Sequence, residues 1–136
     1  MNLNDRYLFR GKRKDNGEWA QGYLSDIIIK TKLVHLIRLR SCKEPHVFLV
    51  EVDPDTIGQC TDVKDKNGKL IFDGDVLKTS HNLYSNEPVI GIVEWVECAF
   101  MLRRNDKSAD ILVSIASEIK EIIGNIHDNP EFLREV

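Results

Sequence analysis

A tight reversal near the middle of the chain constrains its fold more than any other feature. From Thr56 to Leu77 the sequence reads TIGQCTDVKDKNGKLIFDGDVL, and two short extended segments flank Asp65-Lys66-Asn67-Gly68. Asn and Gly tolerate the positive φ that a two-residue hairpin turn requires. A second reversal is predicted at Asp73-Gly74-Asp75, just before another strand. These turns predict β structure and carry no chemistry.

Similar signals predict strands before this centre. Two strand-like segments, 7–12 and 18–24, flank Asp15-Asn16-Gly17 and predict a first hairpin by the same turn chemistry. The segment from Asp26 to Arg40 is rich in Ile, Val and Leu, and it divides near Lys30-Thr31-Lys32. Its second half is apolar on both faces, which favours a strand covered on both sides.

The later part of the chain continues the pattern and ends in a helix. We predict strands at 47–52, 89–95, 98–103 and 121–126. Residues 109–116 fit either a strand or a short helix. Gly91 indicates a β-bulge or a close approach of two backbones. Asp128-Asn129-Pro130 places a capping residue before a proline, which predicts a short C-terminal helix.

Three ordered motifs, which together span nearly the whole chain, resemble the YopX family. The first contains FRGK, GEW and GY between residues 9 and 23. The second contains TIGQ, TD, KDKNGK, IF and GDV between residues 56 and 76, and the third is IGNIHDNPE at 123–131. The family is typical of phage and prophage genes, and its fold is similar to an SH3-type β-barrel. It has no established activity, so the resemblance transfers no catalytic residue.

The strand pattern and the resemblance together predict a mainly β fold in a single domain, 1–136. We expect a small SH3-type barrel or roll of antiparallel strands at 56–136, an N-terminal β lobe at 1–55 and a short C-terminal helix. The hairpins follow from the residues, whereas the barrel is what the resemblance implies.

Length and composition fit a single soluble domain. The 136 residues are 42% hydrophobic and 30% charged, which suffices for one core and a hydrated surface. No apolar run approaches the roughly 20 residues that cross a bilayer. Charges interrupt the start, MNLNDRYLFRGKRK, where a signal peptide would need an apolar core. We therefore expect a cytoplasmic protein of a bacterial host cell, without membrane contact.

The net charge of −3 conceals an asymmetry between the two ends of the chain. Residues 1–50 hold ten Lys or Arg and five Asp or Glu, a net +5, whereas residues 51–136 hold nine and seventeen, a net −8. Such a division is typical of a basic binding face, or of two lobes of opposite sign that attract within one chain or between copies. We favour the second interpretation. A homo-oligomer is also expected to be possible, because barrels with exposed edge strands often pair.

Four cations form the best candidate site for nucleic acid: Arg10, Lys12, Arg13 and Lys14. Aromatic residues such as Trp19 lie among them, so cations would contact phosphates while rings stack on bases. The alternative is that the aromatic side chains pack in the core and the cations lie on a solvated strand or turn. We favour this alternative, because short basic runs are common on soluble surfaces.

Two groups of residues have the composition of a metal site without its spacing. Asp73 and Asp75 flank Gly74, but apolar residues follow where a calcium loop needs further oxygen ligands. His35, Cys42 and His46 lack a fourth ligand at a familiar spacing for zinc. We predict no metal and no cofactor.

The sequence contains no recognisable catalytic motif. It has no phosphate-binding glycine loop, no GxSxG and no HExxH. The three cysteines are widely spaced without a CxxC pair, which argues against disulfides, and Cys98 is expected to pack in the core.

The leading functional hypothesis is a non-enzymatic phage or prophage accessory protein that binds another protein. It depends on the missing catalytic groups, the opposed charges and a polar loop at Thr79 to Pro88. Nucleic-acid binding through the four cations is the alternative. A small hydrolase or nuclease that uses Asp73 and Asp75 is the third.

Overall fold

The computed structural model describes residue 5 and residues 7–39, 49–80, 88–104 and 108–135. This part of the chain is mainly β, with two antiparallel sheets and one short helix. The strands are β1 (Phe9–Lys12), β2 (Trp19–Ile29), β3 (Lys32–Leu39), β4 (Leu49–Glu51), β5 (Gly58–Lys64), β6 (Leu70–Phe72), β7 (Asp75–Thr79), β8 (Val89–Val96), β9 (Ala99–Arg104), β10 (Ala109–Ile111) and β11 (Lys120–Asn125). The helix is α1 (Phe132–Glu135).

The chain divides into two compact units, Met1–Cys60 and Thr61–Val136, and β5 crosses the division. We refer to them as unit 1 and unit 2. Each unit has its own buried apolar cluster. The cluster of unit 1 contains Ala20, Ile37, Val50 and Val52. The cluster of unit 2 contains Ile71, Leu77, Val93, Leu102 and Leu112.

Unit 1 is built from successive antiparallel hairpins. Its strands lie in the order β4-β3-β2-β1, and the first residues of β5 pair with β1. Gly17, with φ +73°, makes the predicted turn between β1 and β2. A Cβ added at Gly22 would lie 1.8 Å from the carbonyl oxygen of Arg38. Only glycine therefore lets β2 and β3 approach at this point.

Unit 2 contains a five-stranded sheet in the order β10-β9-β8-β7-β11, and β6 lies beside β5. The predicted β5–β6 hairpin is confirmed, and Gly68 has φ +79°. Asn67 does not share this conformation, so the connection is a longer loop than a two-residue turn. The predicted reversal at Gly74 is also confirmed, with φ +91°.

The prediction of a closed barrel is wrong for the described strands, which form two open sheets. The sheet of unit 2 ends at β10 and β11 because neither strand has a second partner among the described residues. The SH3-type class itself stays a prediction. None of the helices in the described ranges is long and apolar enough to cross a bilayer.

Two local predictions need correction. The irregular register lies in β11, between Ile122 and Gly124, and not at Gly91. Gly91 instead allows the close backbone approach that the sequence also indicated, since an added Cβ would lie 3.0 Å from the backbone carbonyl oxygen of Arg103 and 2.7 Å from Cγ of Leu102. The segment 109–116 is neither wholly strand nor helix, because β10 runs directly into a 3-10 turn at Leu112–Ser114.

Candidate interaction surface

The four cations of the predicted nucleic-acid site have two different environments. Arg10 and Lys12 lie on one face of β1, where their charged groups are 4.8 Å and 5.5 Å from the centre of the Trp19 ring. Arg10 is only 9% exposed. Both cations therefore make a cation–π contact with the Trp19 ring.

The other two cations are held by carboxylates. The Arg13 guanidinium donates two hydrogen bonds to Asp15, at 2.9 Å and 2.7 Å, and these bonds hold the pKa of Asp15 below its usual value. Lys14 forms an ion pair of 3.1 Å with Glu51. These two cations and their two carboxylate partners line an open depression in unit 1.

Asp75, one of the two aspartates beside Gly74, is part of the backbone architecture. Asp75 is 1% exposed, and its Oδ2 accepts a hydrogen bond of 2.8 Å from the backbone N–H of Phe72. The carboxylate thereby fixes the reversal between β6 and β7, and it is not presented to a substrate.

The described residues contain no cluster of three or more His, Cys, Asp or Glu side chains that could hold a metal ion. Cys42 and His46 of the weighed zinc site lie outside those residues, as does most of the predicted polar loop at Thr79 to Pro88. His35 is 3.1 Å from the Asp26 carboxylate. The prediction that Cys98 packs in a core is wrong, because this residue is exposed in the turn between β8 and β9.

Asp65, from the second family motif, organises the loop between β5 and β6. Its Oδ1 accepts hydrogen bonds from the backbone N–H groups of Asn67 and Lys69, and its Oδ2 accepts one from Ile122. Burial alone would raise the pKa of Asp65, but these three donors outweigh it and hold the pKa below its usual value.

The third motif forms a similar network after β11. Oδ1 of Asn125 accepts hydrogen bonds from the backbone N–H groups of His127 and Asp128, and its Nδ2 donates to the Asp128 carboxylate. A Cβ added at Gly124 would lie 2.4 Å from Oδ1 of Asn129. These motif residues shape the backbone after β11.

The long β2–β3 hairpin extends beyond its neighbours. Along the described residues, β1 pairs with β2 only up to Gly22, and β4 pairs with β3 only from Leu36 onward. We call residues 23–35 the arm. The arm exposes apolar side chains on both faces: Ile28 73%, Leu33 52%, Ile29 48%, Ile27 41% and Leu24 36%. Contiguous apolar exposure of this kind marks interaction sites on soluble proteins.

A second exposed apolar group lies at the end of the β8–β9 hairpin in unit 2. Trp95 is 55% exposed and Val96 is 44% exposed. The Trp95 ring contacts Phe100 edge to face, with centroids 4.8 Å apart, which fixes its orientation. Glu97 and Cys98 form the turn between the strands. We call residues 94–100 the acidic tip.

Both hairpins turn through residues that disfavour the conformation they adopt. Lys30 and Thr31 have φ +47° and +65°, and Glu97 and Cys98 have φ +45° and +72°. Left-handed backbone costs roughly 1 kcal/mol per residue for side chains other than glycine. Strain of this kind concentrates at functional sites.

Comparison with known proteins identifies the family. The model of the family described as YopX protein matches residues 8–134. The protein belongs to the YopX family. YopX from Bacillus subtilis has a similar solved structure, with 22% identity, a TM-score of 0.55 and coverage of 100% of this chain and 99% of that one.

A second similar solved structure, protein EF1440 from Enterococcus faecalis, has 22% identity and a TM-score of 0.54, over 92% of this chain and 96% of that one. At this identity the two structures show the fold that the YopX family shares, and they transfer no activity. No curated protein matches the chain.

Sequence reasoning missed the arm. The half of this segment after Lys32 predicted a strand covered on both sides, and burial is indeed found at Leu36 and Ile37 but not at Leu33. The available signal was the turn at Lys30-Thr31-Lys32, because two cations beside isoleucines place that end of the hairpin in water.

Proposed function

We propose that this YopX-family protein is a non-enzymatic binding module of phage or prophage origin, acting in the bacterial cytoplasm. It binds another protein through the arm. The observation that carries the proposal is the directly opposed pair Ile28 and Leu33, which remain 73% and 52% exposed on one face.

The exposed apolar side chains of the arm fit a protein partner better than a lipid surface. Burying apolar surface contributes about 25 cal/mol per Å², and a two-stranded hairpin is only marginally stable in water. When a protein partner packs on both faces, the apolar surface that is buried both stabilises the arm and contributes to the binding affinity. A lipid surface fits less well, because Lys30 and Lys32 occupy the end that would have to enter the apolar layer.

The two alternatives have less support. Nucleic acid would have to displace the Asp15 and Glu51 carboxylates from Arg13 and Lys14. An acid-dependent hydrolase would need Asp75, whose carboxylate is buried and bonded to a backbone N–H.

We also propose that unit 2 is of the SH3 type. Its β7 to β10 run as a meander, and β11 returns beside β7 after a 3-10 turn at Ser117–Ile119. An experimental structure in which these strands curl into a roll would support this assignment.

The test is capture from phage-infected cells with wild-type protein and with the Ile28→Thr/Leu33→Thr variant. Threonine keeps strand propensity while it removes apolar surface. Val113→Thr is the matched control, since Val113 is 74% exposed but lies outside the arm. We expect a nuclease-resistant protein partner with wild type and control and its loss with the arm variant. Capture that nuclease abolishes, or that the arm variant leaves intact, contradicts the proposal.

A further inference from the structure

The arm and the acidic tip carry opposite charges at comparable positions. Lys30 and Lys32 flank the end of the arm, and neither forms an ion pair within the described residues. Glu97, at the end of the acidic tip, likewise has no cationic partner among those residues. Each set of charges lies beside exposed apolar side chains.

The net charge of each unit has the same sign as the charged side chains at the end of its exposed hairpin. Residues 1–60 contain ten cations and eight anions, a net +2, whereas residues 61–136 contain nine and fourteen, a net −5. The long-range field therefore attracts the arm of one molecule to unit 2 of another.

The same charges disfavour a contact between two arms or between two acidic tips. Two arms would bring four lysines together, and two acidic tips would oppose Glu97 to Glu97, a juxtaposition that costs several kcal/mol when desolvated. The arm against the acidic tip instead joins opposite charges and packs isoleucines against Trp95 and Val96.

We infer that the protein self-associates head to tail, with the arm of one copy seated on the acidic tip of the next. This inference rests on the proposed binding role of the arm and names a second copy of the chain as the partner. Because the two contact surfaces differ, the assembly is heterologous, and it closes into a ring or extends as a filament.

The first test is sedimentation of the wild-type protein across a concentration series. We expect oligomers at about 100 µM, with association that weakens as sodium chloride rises from about 50 to about 500 mM. A monomer under all of these conditions overturns the inference.

Charge exchange tests the specific contact. Lys30→Glu/Lys32→Glu changes the sign of the arm, and Glu97→Lys changes the sign of the acidic tip. We expect each variant alone to associate about tenfold more weakly than wild type. The two variants mixed, and the triple variant that carries all three changes, regain association because every arm again meets a tip of opposite sign.

Two controls separate this contact from the effect of net charge. Lys78→Glu and Glu131→Lys reverse exposed charges elsewhere in unit 2 and should leave association unchanged. Oligomers that the arm and tip variants do not weaken, or that the mixture does not restore, overturn the inference.

These tests distinguish a failure of self-association from a failure of the proposed binding function. If wild type is monomeric but the arm captures a different nuclease-resistant protein, the arm is a binding site and its partner is not a second copy. If the arm variants change neither capture nor association, both proposals fail.

Discussion

Asp65 shows how a single polar side chain in a family motif serves the fold. Its carboxylate joins the loop between β5 and β6 to β11 through three backbone N–H groups. We expect Asp65→Ala to lower the free energy of unfolding by about 3 kcal/mol, because buried donors lose their acceptor. Urea denaturation measures the change. Asp15→Ala removes an exposed carboxylate and should leave the free energy nearly unchanged, and equal effects would contradict the role of Asp65.

The same residue predicts a pH dependence. The pKa of Asp65 is lower in the folded protein than in the unfolded chain. Its contribution is therefore complete above the usual pKa of 3.8 and is lost as pH falls through the lower folded value. We expect the acid limb of the stability profile to be shallower in Asp65→Ala than in wild type. Parallel limbs would show that other carboxylates dominate acid unfolding.

The two described cysteines differ in access. Cys98 is exposed in a turn, whereas Cys60 is 2% exposed in β5. In native protein we expect iodoacetamide to modify Cys98 within minutes and Cys60 only after unfolding. Peptide mass spectrometry assigns each site, and Cys98→Ser should remove the early product. Rapid labelling of Cys60 would indicate that β5 opens readily.

At the scale of the element, the hairpins divide by the chemistry of their turns. Gly17 and Gly68 are visible in the sequence, so the hairpins they make were predicted correctly. Lys30-Thr31 and Glu97-Cys98 lack glycine, and their left-handed conformation follows from the two-residue connection between antiparallel strands. Local sequence therefore placed the strands on either side, but it predicted neither the conformation of these turns nor the exposure of the arm.

Gly22 offers a test of how closely β2 and β3 are joined. Gly22→Ala places a methyl group against the Arg38 carbonyl, and we expect a loss of about 3 kcal/mol in the free energy of unfolding. Gly68→Ala is the control, since it meets no atom within 4 Å and suffers only backbone strain of about 1 kcal/mol. Thermal unfolding followed by circular dichroism compares them. A smaller effect at Gly22 than at Gly68 would contradict the close approach.

At the scale of the whole molecule, the β content was predictable because strand periodicity and glycine turns are local signals. The membership of each core was not predictable, since which strands share a cluster depends on contacts distant in sequence. The surroundings of the candidate basic residues were not predictable for a similar reason. Glu51 is far from Lys14 in the sequence, and only the fold brings their charges together.

Because each unit has its own core, we expect a cavity in one unit to destabilise that unit more than the other. Ile37→Ala removes buried volume in unit 1, and Val93→Ala does so in unit 2, at a cost of roughly 2 kcal/mol or more for the larger side chain. We expect amide exchange to accelerate chiefly in β2–β4 for the first variant and in β7–β9 for the second. Equal acceleration throughout would mean that the units unfold as one cooperative structure.

The contrast between glycine and non-glycine turns also bears on folding kinetics. Turns that need no left-handed side chain close readily, so the β1–β2 and β5–β6 hairpins are expected to nucleate the two halves. The β2–β3 and β8–β9 turns each place two side chains other than glycine in the left-handed region, so we expect them to close later. The two hairpin ends assigned to self-association would then be completed last, when little nascent apolar surface remains to misassemble.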